Sequence, residues 1–403
     1  MKKYSIYLLS GIFSVLLLVA VFNWMINPYD IFTSPEFTGL NAYKSEVERH
    51  TRLSKVYQLE REKPDALLLA SSRGLVIPTS YFSGNDMNAY NLSLTSASTY
   101  ELMRMLQHAQ SVNPIKRVVL ALDEGFTGDK QANFIENRLA VNADGTKNMS
   151  RWKQVLQDYF SSLLSIDALL SSVRTIRKQE VAPASSGAED HDRHRVFVAG
   201  GHHQMFRTME ASIFSQYSGR VKSCDTADVE RVDSPRAVDI FAAIVDFSYR
   251  NDIELFVYIS PSHARLYEAL CMVGKWADIE NMKRAVVRIV AFMADKYGKA
   301  PYPVWDFSGY NRITTETVPD EGDRDSRMRW YWEGSHYTVE VAELIFDTIF
   351  GVSEAYGEFG KPIDLDNIDK HLQGIRNERK IYYESHSTDI EELKTLMKVN
   401  TVP

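Results

Sequence analysis

The chain opens with a long uninterrupted apolar segment. After Lys2 and Lys3, residues 4–29 carry no charged side chain, and residues 8–26 are mainly Leu, Val, Ile and Phe. About 20 apolar residues suffice for a helix to cross a bilayer. The pattern therefore predicts an N-terminal transmembrane helix within an anchor of residues 1–29.

The charges around this segment predict its orientation. Lys2 and Lys3 precede it and Asp30 is the first charge after it, so the positive-inside rule places the N-terminus in the cytoplasm. Trp24 and Tyr29 fit an aromatic belt at the outer face. We expect a single-pass protein of the cytoplasmic (inner) membrane with a periplasmic main domain. A cleaved signal peptide is the alternative, but the apolar run exceeds a signal core of about 7–15 residues and no A-x-A-like site follows it.

Strand and helix patterns alternate along most of the remaining chain. Strands are predicted at 66–70, 117–123, 255–259 and 304–307, and the first three contain continuous apolar runs typical of strands buried on both faces. Helical patterns begin at Ser98 and at Ser234-Pro235, and they cover 276–297 and 338–350. This alternation predicts a three-layer α/β domain with a mainly parallel sheet.

Less regular segments divide the chain further. Residues 30–62 are interpreted as a connector with a short helix, and residues 63–355 as the α/β domain. An insertion is expected at about 129–232, with a helix over 152–176 and a loop or disordered stretch over 180–192. Residues 356–403 form a charged tail with a helix over 389–398.

Composition narrows the function classes. The 403 residues are 44% hydrophobic and 25% charged, which is an ordinary globular balance, and their net charge is −7. Such a chain has no overall field that would attract nucleic acid, so no nucleic-acid partner is expected. Walker, G-x-G-x-x-G and G-x-S-x-G motifs do not occur, and therefore neither a nucleotide cofactor nor the α/β-hydrolase fold is predicted.

Metal chemistry is not predicted either. Cys224 and Cys271 are the two cysteines, and they could form one disulfide in an oxidising compartment or remain two buried free thiols. Four histidines in the insertion lack a zinc-binding frame and are interpreted as solvated surface-loop residues. They are His191, His194, His202 and His203.

Polar residues follow the predicted strands, where open α/β sheets bind ligands. The first strand is followed by Ser71, Ser72 and Arg73, and the second by Asp123. His263 and Asp306 stand at the next two strand ends, with Asp306 interpreted as a structural brace.

Glu333 and His336 directly precede the last helix of the domain. A serine, a histidine and a carboxylate at such positions are the parts of an acyl-transfer site.

This arrangement resembles the SGNH (GDSL-like) hydrolases, a family with a flavodoxin-like three-layer fold. The resemblance rests on Ala-Ser-Ser-Arg after the first strand, on the stretch Asn-Leu-Ser-Leu-Thr-Ser at 91–96, and on a carboxylate three residues before a late histidine. It implies that Ser72 is the nucleophile, His336 the general base and Glu333 the carboxylate that orients the imidazole. Asp323 or Asp325 could supply that carboxylate instead.

The chain departs from the family pattern where the oxyanion hole is expected. Alanine replaces the first-block glycine, Ser96 stands near the second-block glycine, and Asp123 near the third-block asparagine. An ionised aspartate cannot donate a hydrogen bond. Backbone N–H groups of Ser72 and Ser96 could serve, Arg73 or Asn91 could supply a donor, and His263 could line the site.

The membrane-anchored members that the chain resembles include the D-alanyl transfer protein of teichoic acid modification and the SGNH-like proteins of alginate O-acetylation. The resemblance implies an O-acetyltransferase or O-acetylesterase that acts on an envelope or exported polysaccharide, with a membrane-bound O-acyltransferase as partner. Two alternatives remain open: a periplasmic esterase or lipase for small or lipid esters, and a catalytically degenerate scaffold in an acylation or export complex.

Overall fold

The computed structural model describes residues 2–84, 86–124, 127–179, 196, 199–217, 224, 235–352 and 359–400. It has a mixed α/β architecture around a six-stranded, mostly parallel sheet. The strands are β1 (Ala66–Leu69), β2 (Ala89–Asn91), β3 (Arg117–Leu122), β4 (Glu254–Ile259), β5 (Val304–Asp306) and β6 (Lys361–Pro362). Their order is β2-β1-β3-β4-β5-β6, and only β6 pairs antiparallel with its neighbour within this sheet.

The apolar runs form the centre of the sheet. Every residue of β1 is buried, as are the last five of β3, so side chains on both faces of these strands are out of contact with water. The register aligns Leu69 of β1 with Leu120 of β3, and Leu122 of β3 with Ile259 of β4. The four strands predicted from the sequence are thus β1, β3, β4 and β5.

Helices connect and flank the strands. Within the described residues they are α1 (Lys2–Ile26), α2 (Thr51–Glu62), α3 (Ser80–Ser83), α4 (Thr99–Val112), α5 (Arg151–Leu164), α6 (Ile166–Arg177), α7 (His202–Gln216), α8 (Pro235–Arg250), α9 (Ala264–Met272), α10 (Trp276–Tyr297), α11 (Val339–Phe350), α12 (Ile368–Ser385) and α13 (Ser387–Asn400).

Local signals in the sequence set several helix ends. Before α4, Ser98 Oγ accepts the N–H of Glu101 at 3.2 Å while Glu101 accepts the N–H of Ser98 at 3.1 Å, which is a capping box. Helix α10 ends at Gly298, whose φ of +59° lies in the left-handed region that glycine tolerates.

The helix expected over 152–176 is two helices. Ser165 between α5 and α6 has extended backbone, and its Oγ accepts the N–H of Ala168 at 3.0 Å as an N-cap. A serine side chain that binds the backbone favours a new helix start over continuation. The loop expected over 180–192 and the helix cap at Ser234 lie outside the described residues.

Two compact units make up the chain. The first comprises Met1–Asp65, Arg104–Ile115 and Gln131–Ser185, and the second Ala66–Met103, Lys116–Lys130 and Ser186–Pro403. In the first unit, α1 packs at its C-terminal end against α5 and α6. Among the described residues, one helix, over Lys3–Ile26, is long and apolar enough to cross a membrane.

The second unit holds the sheet and the helices that follow it. Its charged C-terminal segment is folded onto the rest of the unit, because Arg379 of α12 pairs with Glu268 of α9 at 2.8 Å. Arg265 of α9 likewise pairs with Glu392 of α13 at 2.9 Å. Cys224 and Cys271 form a disulfide, so the alternative of two free thiols does not hold.

Candidate active site

Ser72 lies in a tight turn directly after β1. Residues Ser72–Gly74 form a single 3₁₀ turn, and Ser71 Oγ accepts the N–H of Arg73 at 3.4 Å. A Cβ at Gly74 would collide with the side chains of Ser93 and Ala70, so the turn requires glycine there. The turn holds Ser72 at the carboxyl end of β1, half-buried.

Glu333 and His336 lie in a loop that a short antiparallel bridge between Tyr331 and Tyr337 closes, just before α11. Neither residue is part of a helix, since α11 begins at Val339. The Glu333 carboxylate accepts the backbone N–H groups of Ser335 and His336, both at 3.0 Å. This side chain-to-backbone turn, rather than helical spacing, brings the two side chains together.

The three side chains form a continuous hydrogen-bonded series within the second unit. Ser72 Oγ lies 2.9 Å from Nε2 of His336, and Nδ1 of His336 contacts Oε1 of Glu333. Ser335 Oγ also donates to Glu333 Oε1, at 2.7 Å. Burial alone would raise the pKa of Glu333, but the hydrogen bonds and charge of His336 and the bonds from Ser335 outweigh it and lower the pKa to about 2.

This geometry assigns the proton positions. An ionised Glu333 can only accept, so Nδ1 carries the hydrogen of the His336 ring, and Nε2 has a free lone pair toward Ser72. The hydroxyl of Ser72 can then donate to Nε2 at 2.9 Å. His336 can therefore accept the hydroxyl proton of Ser72, and the Glu333 carboxylate can stabilise the imidazolium that results.

A buried network of charges follows Ser72 in the chain. Arg73 Nη2 donates to Glu124 Oε2 at 2.7 Å, and Arg73 Nη1 lies 3.5 Å from Oδ1 of Asp123. Tyr267 Oη donates to Glu124 Oε1 at 2.7 Å. Burial opposes the charge on Glu124, yet Arg73 holds the pKa of this carboxyl below its usual value. Burial likewise disfavours the charge on Arg73, but Asp123 and Glu124 together raise the pKa of its guanidinium.

Sequence reasoning placed Glu124 at a strand end without giving it a role, and it missed Tyr267. Glu124 adjoins Asp123 at the end of β3, and this second carboxylate at a strand end was the available signal. Tyr267 reaches the network from α9, and nothing in its sequence neighbourhood indicates that contact. Asp123 itself accepts a hydrogen bond from Ser71. These residues surround the turn that presents Ser72.

Two of the candidate oxyanion donors are engaged elsewhere. The Asn91 amide donates to the carbonyl oxygens of Gly74 and Ile77, at 2.7 and 2.9 Å, so both of its hydrogens hold the turn after Ser72. Arg73 Nη2 is bound to Glu124, whereas its Nη1 is buried 3.5 Å from Asp123 without a hydrogen-bond partner among the described residues. Ser96 has a φ of +50°, a left-handed conformation that glycine adopts more readily than serine.

His263 is a buried structural residue. Its Nδ1 accepts the N–H of Arg265 at 3.2 Å, which caps α9, and its Nε2 donates to the carbonyl of Glu316 at 2.7 Å. Burial lowers the pKa of His263 to about 3, so the imidazole is neutral. Asp306 pairs with Lys283 at 2.7 Å and with His371 at 2.9 Å, as a brace at the end of β5.

Two of the insertion histidines are not solvated loop residues. His202 and His203 lie in α7 and are buried. His202 donates from Nδ1 to the Trp332 carbonyl at 3.1 Å and accepts the N–H of Met328 at 3.2 Å, because the helix packs against the loop that holds Glu333. His191 and His194 lie outside the described residues. Within the described part of the chain, no group of three His, Cys, Asp or Glu residues is arranged to hold a metal.

The alternative carboxylates lie elsewhere. Asp323 accepts the backbone N–H groups of Asp325 and Ser326, both at 2.9 Å, in an exposed turn. Glu333 is therefore the carboxylate on Nδ1 of His336.

Neither the models of known protein families nor the sequences of curated proteins match this chain. Function is therefore inferred from the geometry of the site and from the motifs that form it.

Proposed function

We propose that this protein is a membrane-anchored serine acyl-transfer enzyme of the SGNH type, an O-acetyltransferase or O-acetylesterase that acts on an extracytoplasmic polysaccharide. One observation carries the proposal: the hydrogen-bonded series from Ser72 Oγ through the imidazole of His336 to the carboxylate of Glu333. This combination in this order is the machinery of nucleophilic acyl transfer.

The reaction proceeds in two balanced steps. Ser72 gives its hydroxyl proton to Nε2 of His336 while Oγ attacks the acyl carbonyl carbon. The imidazolium returns that proton to the departing alkoxide, which leaves an acyl-serine. An acceptor hydroxyl, or water, then loses its proton to His336 and attacks the acyl carbon, and Ser72 recovers its proton. Glu333 keeps the imidazole oriented throughout.

Backbone N–H groups are the best candidates for stabilising the oxyanion. Asn91 spends both amide hydrogens on the turn after Ser72, and Nη2 of Arg73 is bound to Glu124 while its Nη1 is buried away from the surface. Asp123 has no donor to offer when ionised. We therefore assign this role to the N–H groups of Ser72 and Ser96, the positions that the family resemblance also implies.

The topology supports the family assignment. The parallel strands follow the order 2-1-3-4-5, which is that of flavodoxin-like doubly wound sheets. Such sheets bind ligands where the strand order reverses, beside the ends of β1 and β3. Ser72 follows β1 and Asp123 follows β3, and His336 precedes α11, as in a three-layer SGNH arrangement.

Two observations support a location outside the cytoplasm. Lys2 and Lys3 precede the apolar helix and Asp30 follows it, which favours a cytoplasmic N-terminus. The disulfide between Cys224 and Cys271 suits an oxidising compartment. A single-pass protein of the inner membrane with a periplasmic catalytic domain accounts for both.

The polysaccharide substrate and the partner follow from the resemblance to anchored SGNH-type proteins. An anchored enzyme at the outer face meets exported glycans and not cytoplasmic esters. A membrane-bound O-acyltransferase would supply the acyl group that Ser72 passes on.

Labelling of the nucleophile tests the proposal. The full-length protein in detergent is treated with a fluorophosphonate, and the labelled peptide is identified by mass spectrometry. Wild type is expected to react at Ser72, and Ser72→Ala to lose the label. Ser71→Ala is the matched control, since the adjacent Ser71 hydroxyl donates to Asp123 and not to His336. Equal labelling of wild type and Ser72→Ala would place the reactive nucleophile elsewhere, and no labelling of either would favour the scaffold alternative; both results contradict the assignment of Ser72.

Substrate class is tested on the same preparation. Acetate release from an O-acetylated polysaccharide is compared with hydrolysis of p-nitrophenyl esters of increasing chain length. Activity that Ser72→Ala abolishes on the polysaccharide supports the proposal. Activity confined to long-chain esters would point to a lipase instead.

A further inference from the structure

Helices α5 and α6 of the first unit present a continuous row of exposed apolar side chains. Phe160 is 62% exposed and Ile166 is 77% exposed, although both are large hydrophobic residues. Four members recur every fourth residue along α5, and two follow in α6. This apolar patch consists of Trp152, Leu156, Phe160, Leu164, Ile166 and Leu170.

The opposite faces of the same helices combine a small apolar cluster, to which Val155, Tyr159 and Ala168 contribute, with buried polar groups. Asp158 of α5 accepts hydrogen bonds from Arg138 at 2.6 and 2.8 Å and from Tyr57 Oη at 2.7 Å. Ser171 and Ser172 of α6 are buried as well. A helix on the surface of a water-soluble domain normally keeps its large apolar residues inside and exposes its polar ones. The outer surface of the two helices is therefore suited to contact with an apolar medium.

Hydrogen bonds fix these helices to the end of α1. Asn23 Nδ2 donates to the carbonyl of Leu163 at 2.8 Å, and Ser172 Oγ donates to Asn23 Oδ1 at 2.8 Å. Asn23 is fully buried in this contact. The junction of α5 and α6 thus lies at the same height along α1 as Asn23.

That height coincides with the outer boundary of the membrane. A helix rises about 1.5 Å per residue and the hydrocarbon core is about 30 Å thick, so a span needs about 20 residues. Counted from Tyr4, the first residue after the lysines, such a span ends near Asn23. The part of the apolar patch nearest Asn23, from Phe160 to Leu170, then lies where acyl chains meet headgroups.

We propose that the apolar patch inserts into the outer leaflet of the bilayer that α1 crosses, so that α5 and α6 form a second, interfacial attachment to lipid. The inference rests on the spanning role of α1 in the proposed function, and it is independent of the chemistry of Ser72. Lys153 and Arg177, both exposed on the same helices, supply cations for lipid phosphates. Lipid is the occupant because the patch continues the surface of a helix that is itself surrounded by lipid.

Depth-dependent quenching tests this attachment on the full-length chain. The two native cysteines are disulfide-bonded, so a single introduced cysteine can be labelled with the fluorophore NBD. Ile166→Cys and Phe160→Cys probe the apolar patch. Leu16→Cys, in the exposed apolar part of α1, is the reference for lipid. Lys299→Cys, beside Asp252 in an exposed ion pair, is the reference for water.

The labelled proteins are placed in phosphatidylcholine–phosphatidylglycerol nanodiscs, with and without lipids brominated on the acyl chain. We expect quenching and a blue shift at positions 166 and 160 that lie between those of the lipid and water references. If both positions behave like Lys299→Cys while Leu16→Cys is quenched, the patch is not in lipid, and the inference fails while the spanning helix stands. If Leu16→Cys is not quenched either, α1 does not span, and the inference and the proposed topology fail together. Fluorophosphonate labelling of Ser72 is unaffected by either result.

Discussion

Arg73 and Glu124 form a buried ion pair, with 2.7 Å between Nη2 and Oε2, one residue after the candidate nucleophile. The pair joins the turn after β1 to the end of the neighbouring strand β3. Tyr267 holds the second oxygen of Glu124, so the carboxylate is fixed from two sides. The position of Ser72 depends on this network as much as on β1.

Removal of the guanidinium is therefore expected to destabilise the fold. Arg73→Met would leave Glu124 and Asp123 without their cation, and an uncompensated buried charge costs about 3–5 kcal/mol. Urea unfolding followed by circular dichroism measures the loss. The double variant Arg73→Met/Glu124→Gln is expected to be less destabilised than the sum of its single variants. If the loss of unfolding free energy in the double variant equals the sum of the two single losses, the interaction between Arg73 and Glu124 contributes no coupling energy of its own.

Glu333→Gln tests the orientation of the imidazole. The glutamine amide can donate to Nδ1 of His336, which would favour the tautomer whose Nε2 carries the hydrogen and cannot accept the serine proton. We expect the rate constant of fluorophosphonate labelling to fall by about 10²–10⁴. Ser335→Ala is the comparison, since it removes one hydrogen bond to Glu333 and leaves the carboxylate in place, so its loss should be smaller. Equal losses in the two variants would argue against a special role for the carboxylate.

The buried His263 predicts an acid-dependent loss of stability. Its pKa falls from about 6.5 in the unfolded chain to about 3 in the fold, because the buried imidazole cannot readily gain a charge. Below pH 6.5 the unfolded state therefore binds more protons, and stability falls as pH drops toward 3 by up to about 1.4 kcal/mol per pH unit. His263→Asn keeps a cap acceptor for the N–H of Arg265 and should flatten this slope. Urea unfolding of wild type and of His263→Asn is measured from pH 7 to pH 4. If the unfolding free energy depends on pH with the same slope in both proteins, His263 is not the group responsible.

Ser96 gives a test of backbone conformation. Its φ of +50° costs a non-glycine residue about 1–2 kcal/mol, most of all a β-branched one. Ser96→Gly is expected to raise the urea midpoint, and Ser96→Val to lower it. Because Ser96 is exposed, neither change should create a steric clash. A higher midpoint for the valine variant would refute a left-handed conformation at this position.

Much of the sheet could be predicted from the sequence because its signals are local. The apolar runs of β1 and β3 are continuous, since these strands are buried on both faces, and Ser98 with Glu101 marks the start of α4 within a few residues. The break at Ser165 was missed because it depends on one hydroxyl that binds the backbone instead of pointing outward.

The candidate site was only partly predictable. Ser72, Glu333 and His336 are indicated by their positions at element ends, but their contact arises from the turn around Ser335, which periodicity does not encode. The burial of His202 could not be predicted either, because the sequence does not indicate which backbone carbonyl a histidine will bind in the fold. Tyr267 reaches Glu124 across 143 residues, a contact that only the tertiary fold creates.

The hydrogen bond between Ser72 and His336 joins residues 264 positions apart, and this separation has a consequence for biosynthesis. At about 5–20 residues per second, the ribosome needs roughly 10–50 s to reach the histidine after it has incorporated the serine. Throughout that interval Ser72 has no imidazole beside it. In the proposed mechanism, Ser72 therefore lacks its general base until His336 has been synthesised and has folded against it.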